Sequence, residues 1–193
     1  MLRQLSVTTF LVLACTVSGC ASVISTVNGN DSIQQNQGTR TTGSVIDDGA
    51  IETMIKVNLN AADAALRDAN IDVISFNQTV LIVGQVPTQE LKNLATRVAT
   101  TSNSRVKTVY NELEVAGSTS FMSRTNDAWI STKLKSKMLV NDDVEGLRTK
   151  VVTENGAVYL MGLLTRAEAD RAVELVSTTS GVTKVVRAFE YID

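Results

Sequence analysis

The sequence of 193 residues contains no histidine and only two cysteines, Cys15 and Cys20. Zinc sites made of His and Cys, Ser–His–Asp triads and Cys–His dyads all require these side chains, so the composition argues against each of them. An enzyme would have to rely on a pair of carboxylates in a cleft, and no spacing of acidic residues suggests such a pair. We therefore expect a protein that is not an enzyme and that binds no cofactor.

Aromatic residues and net charge are also scarce. Tryptophan occurs once, tyrosine three times and phenylalanine four times, so we expect a core built mainly from Val, Ile, Leu and Ala. The formal net charge is −2, whereas nucleic-acid-binding domains usually carry a basic excess on one face. We expect no nucleic-acid partner, and any attraction to an anionic surface would have to be local.

Acidic residues cluster at Asp142, Asp143 and Glu145. A calcium loop places its carboxylates at alternate positions, and this segment lacks that pattern. We expect a solvated turn here and no metal site.

The first twenty residues predict a secretion signal. Arg3 supplies an early positive charge, and residues 10–15 form an apolar run that is too short to span a bilayer. The small residues Ser18 and Gly19 before Cys20 are of the kind that a signal peptidase accepts.

The segment VSGC at residues 17–20 resembles a bacterial lipobox, with Val17 where leucine is usual. This resemblance implies that residues 1–19 are removed and that Cys20 becomes the lipidated first residue. Ala21 and Ser22 in place of an aspartate imply delivery to the outer membrane. The alternative is an ordinary secreted protein with a chance cysteine after Gly19.

Residues 20–46 are rich in Asn, Gln, Ser, Thr and Gly, a composition typical of a flexible tether. About 25 such residues have an end-to-end distance on the order of 25–30 Å. The tether would keep the rest of the chain close to the membrane that holds Cys20.

The remaining sequence repeats at an offset that drifts from 79 to 76 residues. DGAIETMIK aligns with DAWISTKLK, and VLIVG aligns with VYLMG. We therefore predict two small domains of one kind, at residues 47–117 and 126–193, joined by a short Ser/Thr-rich linker at residues 118–125.

Each copy predicts a helix, a hairpin of two strands, a second helix and a last strand. Asp48 and Asp127 are placed to cap the opening helices, and Asn155-Gly156 is a strong hairpin signal. Thr165 and Glu168 form a capping box. The expected fold class is α+β, with a three-stranded mixed sheet covered on one face by two helices in each domain. The predicted elements are helices 48–60 and 127–140, hairpins 71–76/80–86 and 150–154/157–164, helices after Thr88 and Thr165, and last strands 106–115 and 182–192.

Two αββαβ units, each with a glycine ending the second hairpin strand (Gly84 and Gly162) and a late Val-x-x-Val strand, resemble BON domains. A lipobox, a polar tether and two such units resemble the dual-BON outer-membrane lipoproteins. The resemblance implies a lipid-anchored protein of the outer membrane that faces the periplasm and supports envelope integrity at the division site and under stress. It also implies binding of anionic phospholipid, of the phosphatidylglycerol type, through the first helix of the second BON domain. We expect Gly84 and Gly162 themselves to be structural, at a bulge or a close approach.

The helix at residues 127–140 carries the only tryptophan. At about 100° per residue, Ile130, Leu134 and Met138 form one stripe that faces the core, and Trp129 points well away from it. Ile51 and Ile55 occupy the equivalent positions in the first copy. An exposed aromatic side chain among lysines is typical of contact with a membrane surface. The equivalent helix of the first copy has Ala50 where the second has Trp129. The predicted phospholipid-binding residues are Trp129, Lys133, Lys135, Ser136, Lys137, Leu139 and Val140.

Charge separates the two copies as well. Residues 47–117 carry six basic and nine acidic side chains, whereas residues 124–193 carry ten of each. One alternative is therefore an adaptor whose first domain recruits an outer-membrane assembly partner or a cell-wall hydrolase regulator. Another is that Trp129 is buried between the two domains. The sequence makes no prediction of the oligomeric state.

Overall fold

A computed structural model of the protein describes residues 38–117 and 121–193, with side chains in the second range from residue 124 onward. The predicted signal peptide, Cys20 and the predicted tether as far as residue 37 lie outside the described residues, as do residues 118–120 of the linker. Among the helices in the described ranges, none combines the length and the apolar composition that crossing a membrane requires.

The two domains share the predicted order of helix, two hairpin strands, helix and last strand, and the predicted α+β fold is confirmed. The first domain consists of α1 (Thr42–Ala62), the short α2 (Ala64–Asp68), β1 (Asn70–Phe76), β2 (Thr79–Val86), α3 (Gln89–Ser102), β3 (Thr108–Asn111) and β4 (Glu114–Val115). The second consists of α4 (Phe121–Leu139), a 3-10 turn (Gly146–Arg148), β5 (Thr149–Glu154), β6 (Ala157–Leu164), α5 (Arg166–Ser177) and β7 (Lys184–Tyr191).

Both sheets are mixed, as predicted. In each domain the hairpin strands are antiparallel, and the last strand runs parallel to the second hairpin strand, with Val80 opposite Val109 and Val158 opposite Val185. The last strand of the first domain differs from the prediction because β3 and β4 are two short segments, both paired with β2. The Asn111 side chain accepts a hydrogen bond from Leu113 N (3.1 Å) at this break.

The opening helices pack on one face of their sheets through the predicted stripes. Ile51 and Ile55 in α1, and Ile130 and Leu134 in α4, have no exposed surface. The capping box of Thr165 and Glu168 at the start of α5 is confirmed. Each domain thus has its own core, made from two helices and one sheet face.

The other faces of the two sheets pack against each other. Leu81 and Val83 of β2, and Tyr159 and Met161 of β6, belong to a third apolar cluster that joins the domains. Polar contacts surround this cluster, including Gln85 Nε2 to Glu154 Oε1 at 2.5 Å. The remaining cross-domain contacts include Asn77–Glu190, Lys107–Glu190, Lys184–Glu112 and Lys150–Glu52.

Gly84 and Gly162 have structural roles, as predicted. Gly84 has a φ of 124°, and a Cβ atom there would overlap the carbonyl oxygen of Asn70 on the neighbouring strand. A Cβ at Gly162 would lie 2.7 Å from the carbonyl oxygen of Arg148. In both domains, the backbone at the start of the first hairpin strand thus lies too close to the glycine for a side chain to fit.

The predicted starts and caps of the opening helices are wrong. The helix α1 begins at Thr42, inside the predicted tether, and its N-cap is Thr41, whose hydroxyl oxygen accepts from Ser44 N at 3.1 Å. The helix α4 begins at Phe121, inside the predicted linker. Asp48 and Asp127 lie within the helices, and both are buried.

These two aspartates instead hold the hairpin turns. The carboxylate of Asp48 accepts hydrogen bonds from Asn77 N and Gln78 N, both at 2.8 Å. Asp127 accepts from Asn155 N and Gly156 N at the same distance. Because a buried charge needs partners, each carboxylate is tied to the turn of its own domain.

The environment of Asp48 predicts a pH-dependent contribution to stability. Burial disfavours its ionised form, but hydrogen bonds from Gln78, Ser75 and Asn77 outweigh burial and lower its pKa. A lowered folded-state pKa means that the stabilisation is present above about pH 3.9, the unfolded value, and is lost as pH falls through the folded pKa.

Asp48→Asn is therefore expected to lower the free energy of unfolding by about 1–3 kcal/mol at neutral pH. Urea unfolding should show that the difference from the native chain shrinks on acidification below pH ~4. The matched change Asp47→Asn removes only an exposed pair with Arg105, so its cost should be at most about 1 kcal/mol. An Asp48→Asn difference that is independent of pH would contradict this account.

Candidate membrane-contact site

The outer face of α4 presents the tryptophan to solvent. Trp129 is 57% exposed, and the opposite side of the helix supplies the buried stripe of Ile130, Leu134 and Met138. The domains meet through their sheets, on the far side of this helix's core. The alternative that Trp129 is buried between the domains is therefore wrong.

Lys133 lies one turn after Trp129 and contacts its ring. The Nζ atom of Lys133 is 4.7 Å from the ring centroid, within the range of a cation–π interaction. Such a contact contributes about 0.5–1 kcal/mol at an exposed site, so it positions the lysine without fixing it strongly. The result is a positive charge and a large aromatic surface at the same place.

Ser136 and Val140 continue the face that begins at Trp129. They follow it by seven and eleven residues, which returns each to nearly the same side of an α-helix. Both are exposed, and Val140 is 82% exposed. The predicted residues Trp129, Lys133 and Ser136 thus lie together along one side of the helix, and Val140 follows directly after its end.

Lys135 and Lys137 flank the buried stripe on opposite sides, as their spacing predicts. Lys137 Nζ donates a hydrogen bond to Thr179 Oγ1 at 3.1 Å, in the loop after α5. Lys135 is exposed, lies on the flank that also carries Leu139, and has no hydrogen bond or ion pair within residues 38–117 and 124–193. Of the predicted lysines, only Lys133 contacts the tryptophan ring.

Leu147, which the sequence analysis did not select, is 91% exposed on the 3-10 turn after α4. It lies near Leu139, and both side chains line the same depression of the surface. The segment DDVEGLR contains two apolar side chains, Val144 and Leu147, and only the structure shows that Val144 is buried while Leu147 is exposed. Leu139, Val140 and Leu147 extend the apolar surface beyond the end of the helix.

The acidic segment after α4 forms a turn. Asp143 N donates to Asn141 Oδ1 at 2.9 Å, and Glu145 forms an ion pair with Arg148 at 3.2 Å. Over the part of the chain with described side chains, no three acidic or Cys residues are grouped so that they could hold a metal ion.

The equivalent face of α1 in the first domain has a different chemistry. Ala50 occupies the position of Trp129, and Ile46, Met54 and Val57 are exposed around it. Lys56 lies at the border of this face and pairs with Asp72 at 3.5 Å. The two copies therefore share a buried stripe and differ on the side that faces solvent.

Comparison with known proteins agrees with this two-domain architecture. Residues 47–117 and residues 126–193 both match the BON domain family. The chain is 39% identical to Outer membrane lipoprotein DolP of Haemophilus influenzae over 155 residues, which are 80% of this chain and 79% of that protein.

Two further relatives cover a similar part of the chain. It is 35% identical to 21 kDa hemolysin of Actinobacillus pleuropneumoniae over 79% of this chain and 78% of that protein. It is 30% identical to Osmotically-inducible protein Y of Escherichia coli over 74% of this chain and 72% of that protein. Because both domains match, and because these relatives span most of its length, the chain belongs to the BON domain family as a two-domain member similar to DolP.

Proposed function

We propose that this chain is a non-catalytic protein that is anchored in the outer membrane through Cys20 and faces the periplasm. It binds anionic phospholipid of the phosphatidylglycerol type through the outer face of α4, and so supports outer-membrane integrity at the division site and under stress. The exposed Trp129, with the ammonium of Lys133 at 4.7 Å from its ring, is the observation that carries this proposal. The names of relatives, an outer-membrane lipoprotein and an osmotically inducible protein, support the location and the stress association.

Membrane binding would result from several weak interactions acting together. A tryptophan side chain is favourable at the membrane–water interface, where its ring is partly buried and its N–H stays hydrated. A lysine near an anionic surface contributes about 1 kcal/mol, which decreases as salt screens the charge. A lipid anchor at Cys20 would raise the local concentration of this face at the membrane, so that weak contacts suffice.

Co-sedimentation with vesicles tests the proposal. The mature chain with Cys20→Ser has no acyl anchor, so any vesicle binding must come from the folded domains. We expect it to sediment with phosphatidylglycerol vesicles at low salt, to bind less at high salt, and to stay in the supernatant with phosphatidylcholine vesicles. Equal binding to both lipids, or to neither, would contradict the proposal.

The face of α1 favours a second candidate function, that of an adaptor. Ile46, Met54 and Val57 present apolar surface, and Lys56 at its border is paired with Asp72, which suits a protein partner better than an anionic membrane. The partner would be an outer-membrane assembly protein or a cell-wall hydrolase regulator. Val57→Glu should then abolish capture of the partner in a pull-down while leaving vesicle binding intact, and unchanged capture would refute it.

A further inference from the structure

A cleft of about 340 Å³ lies where the two domains meet beside the end of α4. Arg40, just before α1, and Phe76 of the first domain line one side, and the second domain contributes Lys135, Leu139, Leu147 and Lys150 among other residues. Ligand pockets usually measure about 300–1,000 Å³. The cleft is therefore large enough for a small polar group but too small for a whole lipid.

The cleft has a surplus of positive charge. Three of its lining side chains are cationic, and none is acidic. Arg40 pairs with Asp48 at 3.0 Å, and Lys150 lies 3.6 Å from Glu52, so these two cations are already partly neutralised. Lys135 has no partner in the described chain. One unbalanced positive charge remains, which matches the single negative charge of a phosphodiester.

Two leucines that line the cleft are open to solvent. Leu139 and Leu147 are both largely exposed, and they also line a neighbouring depression together with Asp142 and Glu145. Phosphate alone would leave the two leucines in water. A phosphodiester attached to acyl chains would cover them, because the first carbons of the chains can leave the cleft past these side chains.

The path of the chain also favours a ligand from the membrane. Gly38, the first described residue, packs so closely on Arg148 that a Cβ atom there would overlap the guanidinium group. Arg148 belongs to the same 3-10 turn as Leu147. Gly38, which is eighteen residues after the proposed anchor Cys20, therefore lies beside the turn that carries Leu147.

We propose that the cleft binds the phosphodiester headgroup of one anionic phospholipid. Lys135 and Lys150 contact the phosphate oxygens, Arg40 adds positive potential from the first domain, and Leu139 and Leu147 contact the first acyl carbons. This inference rests on the proposed function and divides it between two places. The outer face of α4 holds the protein at the membrane surface, and the cleft selects the anionic headgroup.

Titration with monomeric dihexanoyl-phosphatidylglycerol, followed by amide chemical shifts, tests the cleft in the mature Cys20→Ser chain. The amides of Gly146, Leu147 and Thr149 are expected to shift. The double change Lys135→Gln and Lys150→Gln should weaken this binding by about tenfold or more. A matched double change of the side chains Lys92→Gln and Arg97→Gln, on α3 of the first domain, alters net charge equally and should stay within about twofold.

Further measurements distinguish an anionic phospholipid from other phosphate compounds, and the cleft from the outer face of α4. Dihexanoyl-phosphatidylcholine and inorganic phosphate should each bind the cleft at least about tenfold more weakly. Phosphatidylcholine has the same phosphodiester, but its choline cation cancels the negative charge and is repelled by the lysines of the cleft. Inorganic phosphate lacks the acyl carbons that Leu139 and Leu147 contact. Trp129→Glu should leave monomeric lipid in the cleft while vesicle binding is lost. If the wild-type cleft binds monomeric lipid but the protein never binds vesicles, the proposed function fails and the cleft stands. Shifts confined to the Trp129 face, equal binding of phosphate, or equal losses in the two double variants would overturn the cleft proposal.

Discussion

Trp129→Glu is expected to abolish binding of the protein to phosphatidylglycerol vesicles without lowering its melting temperature. The ring is 57% exposed and lies on the side of α4 opposite the buried stripe, so its removal opens no cavity. The change removes the interfacial aromatic and adds a charge that an anionic surface repels. Vesicle co-sedimentation and calorimetry of the same sample measure the two quantities.

The internal repeat provides a matched control for this change. Ala50→Glu introduces the same charge at the equivalent exposed position of α1. It should leave vesicle binding near the native level, because we place no membrane contact on that helix. If both variants lose binding equally, general charge repulsion explains the result and the outer face of α4 has no special role.

Met161→Asp is expected to have the largest effect on stability, at least about 4 kcal/mol. Met161 has no exposed surface and lies in the apolar cluster that joins the two sheets. An aspartate there would lose apolar contacts and place a carboxylate in apolar surroundings. The same cluster makes each domain dependent on the other, so the native protein should unfold in a single transition.

Chemical unfolding followed by far-UV circular dichroism measures both the loss of stability in Met161→Asp and the number of unfolding transitions. Met54→Asp, at an exposed methionine on α1, makes the same substitution outside the domain interface. It should cost less than about 1 kcal/mol. Two separate transitions in the native chain, with only one of them moved by Met161→Asp, would show that the domains fold independently.

Local sequence signals predicted the parts of the fold that depend on neighbouring residues. The helical stripes that include Ile51 and Ile130, the Asn155-Gly156 turn and the Thr165 capping box all follow from spacing over a few positions. The exposure of Trp129 followed in the same way, since Trp129 lies about 140° around the helix from Leu134, the centre of the buried stripe. The family resemblance added the function that these residues are proposed to have.

The caps were mispredicted because an aspartate near a helix start has two uses that look alike in sequence. Asp48 and Asp127 precede apolar helical stripes, as N-caps do. Their actual partners are turn amides about 28 to 30 residues away. Only the tertiary structure reveals such partners, so the helices could begin earlier than the sequence indicated.

Packing between the domains was not predicted, although a signal for it existed. The strands VLIVGQV and AVYLMGLL are almost continuously apolar, which is typical of strands buried on both faces. A strand covered by helices on one face only should alternate apolar and polar residues. The cleft could not be found in this way, because Arg40, Lys135 and Lys150 come together only after the domains pack.

The single tryptophan allows the most direct test of membrane contact by α4. Emission of Trp129 in the mature Cys20→Ser chain can be recorded as phosphatidylglycerol vesicles are added, with phosphatidylcholine vesicles in parallel. Because the ring is exposed in the free protein, entry into the interface should move its emission to shorter wavelength with the anionic lipid alone. Unchanged emission while the protein sediments with the anionic vesicles would show that another surface binds them and would contradict the account.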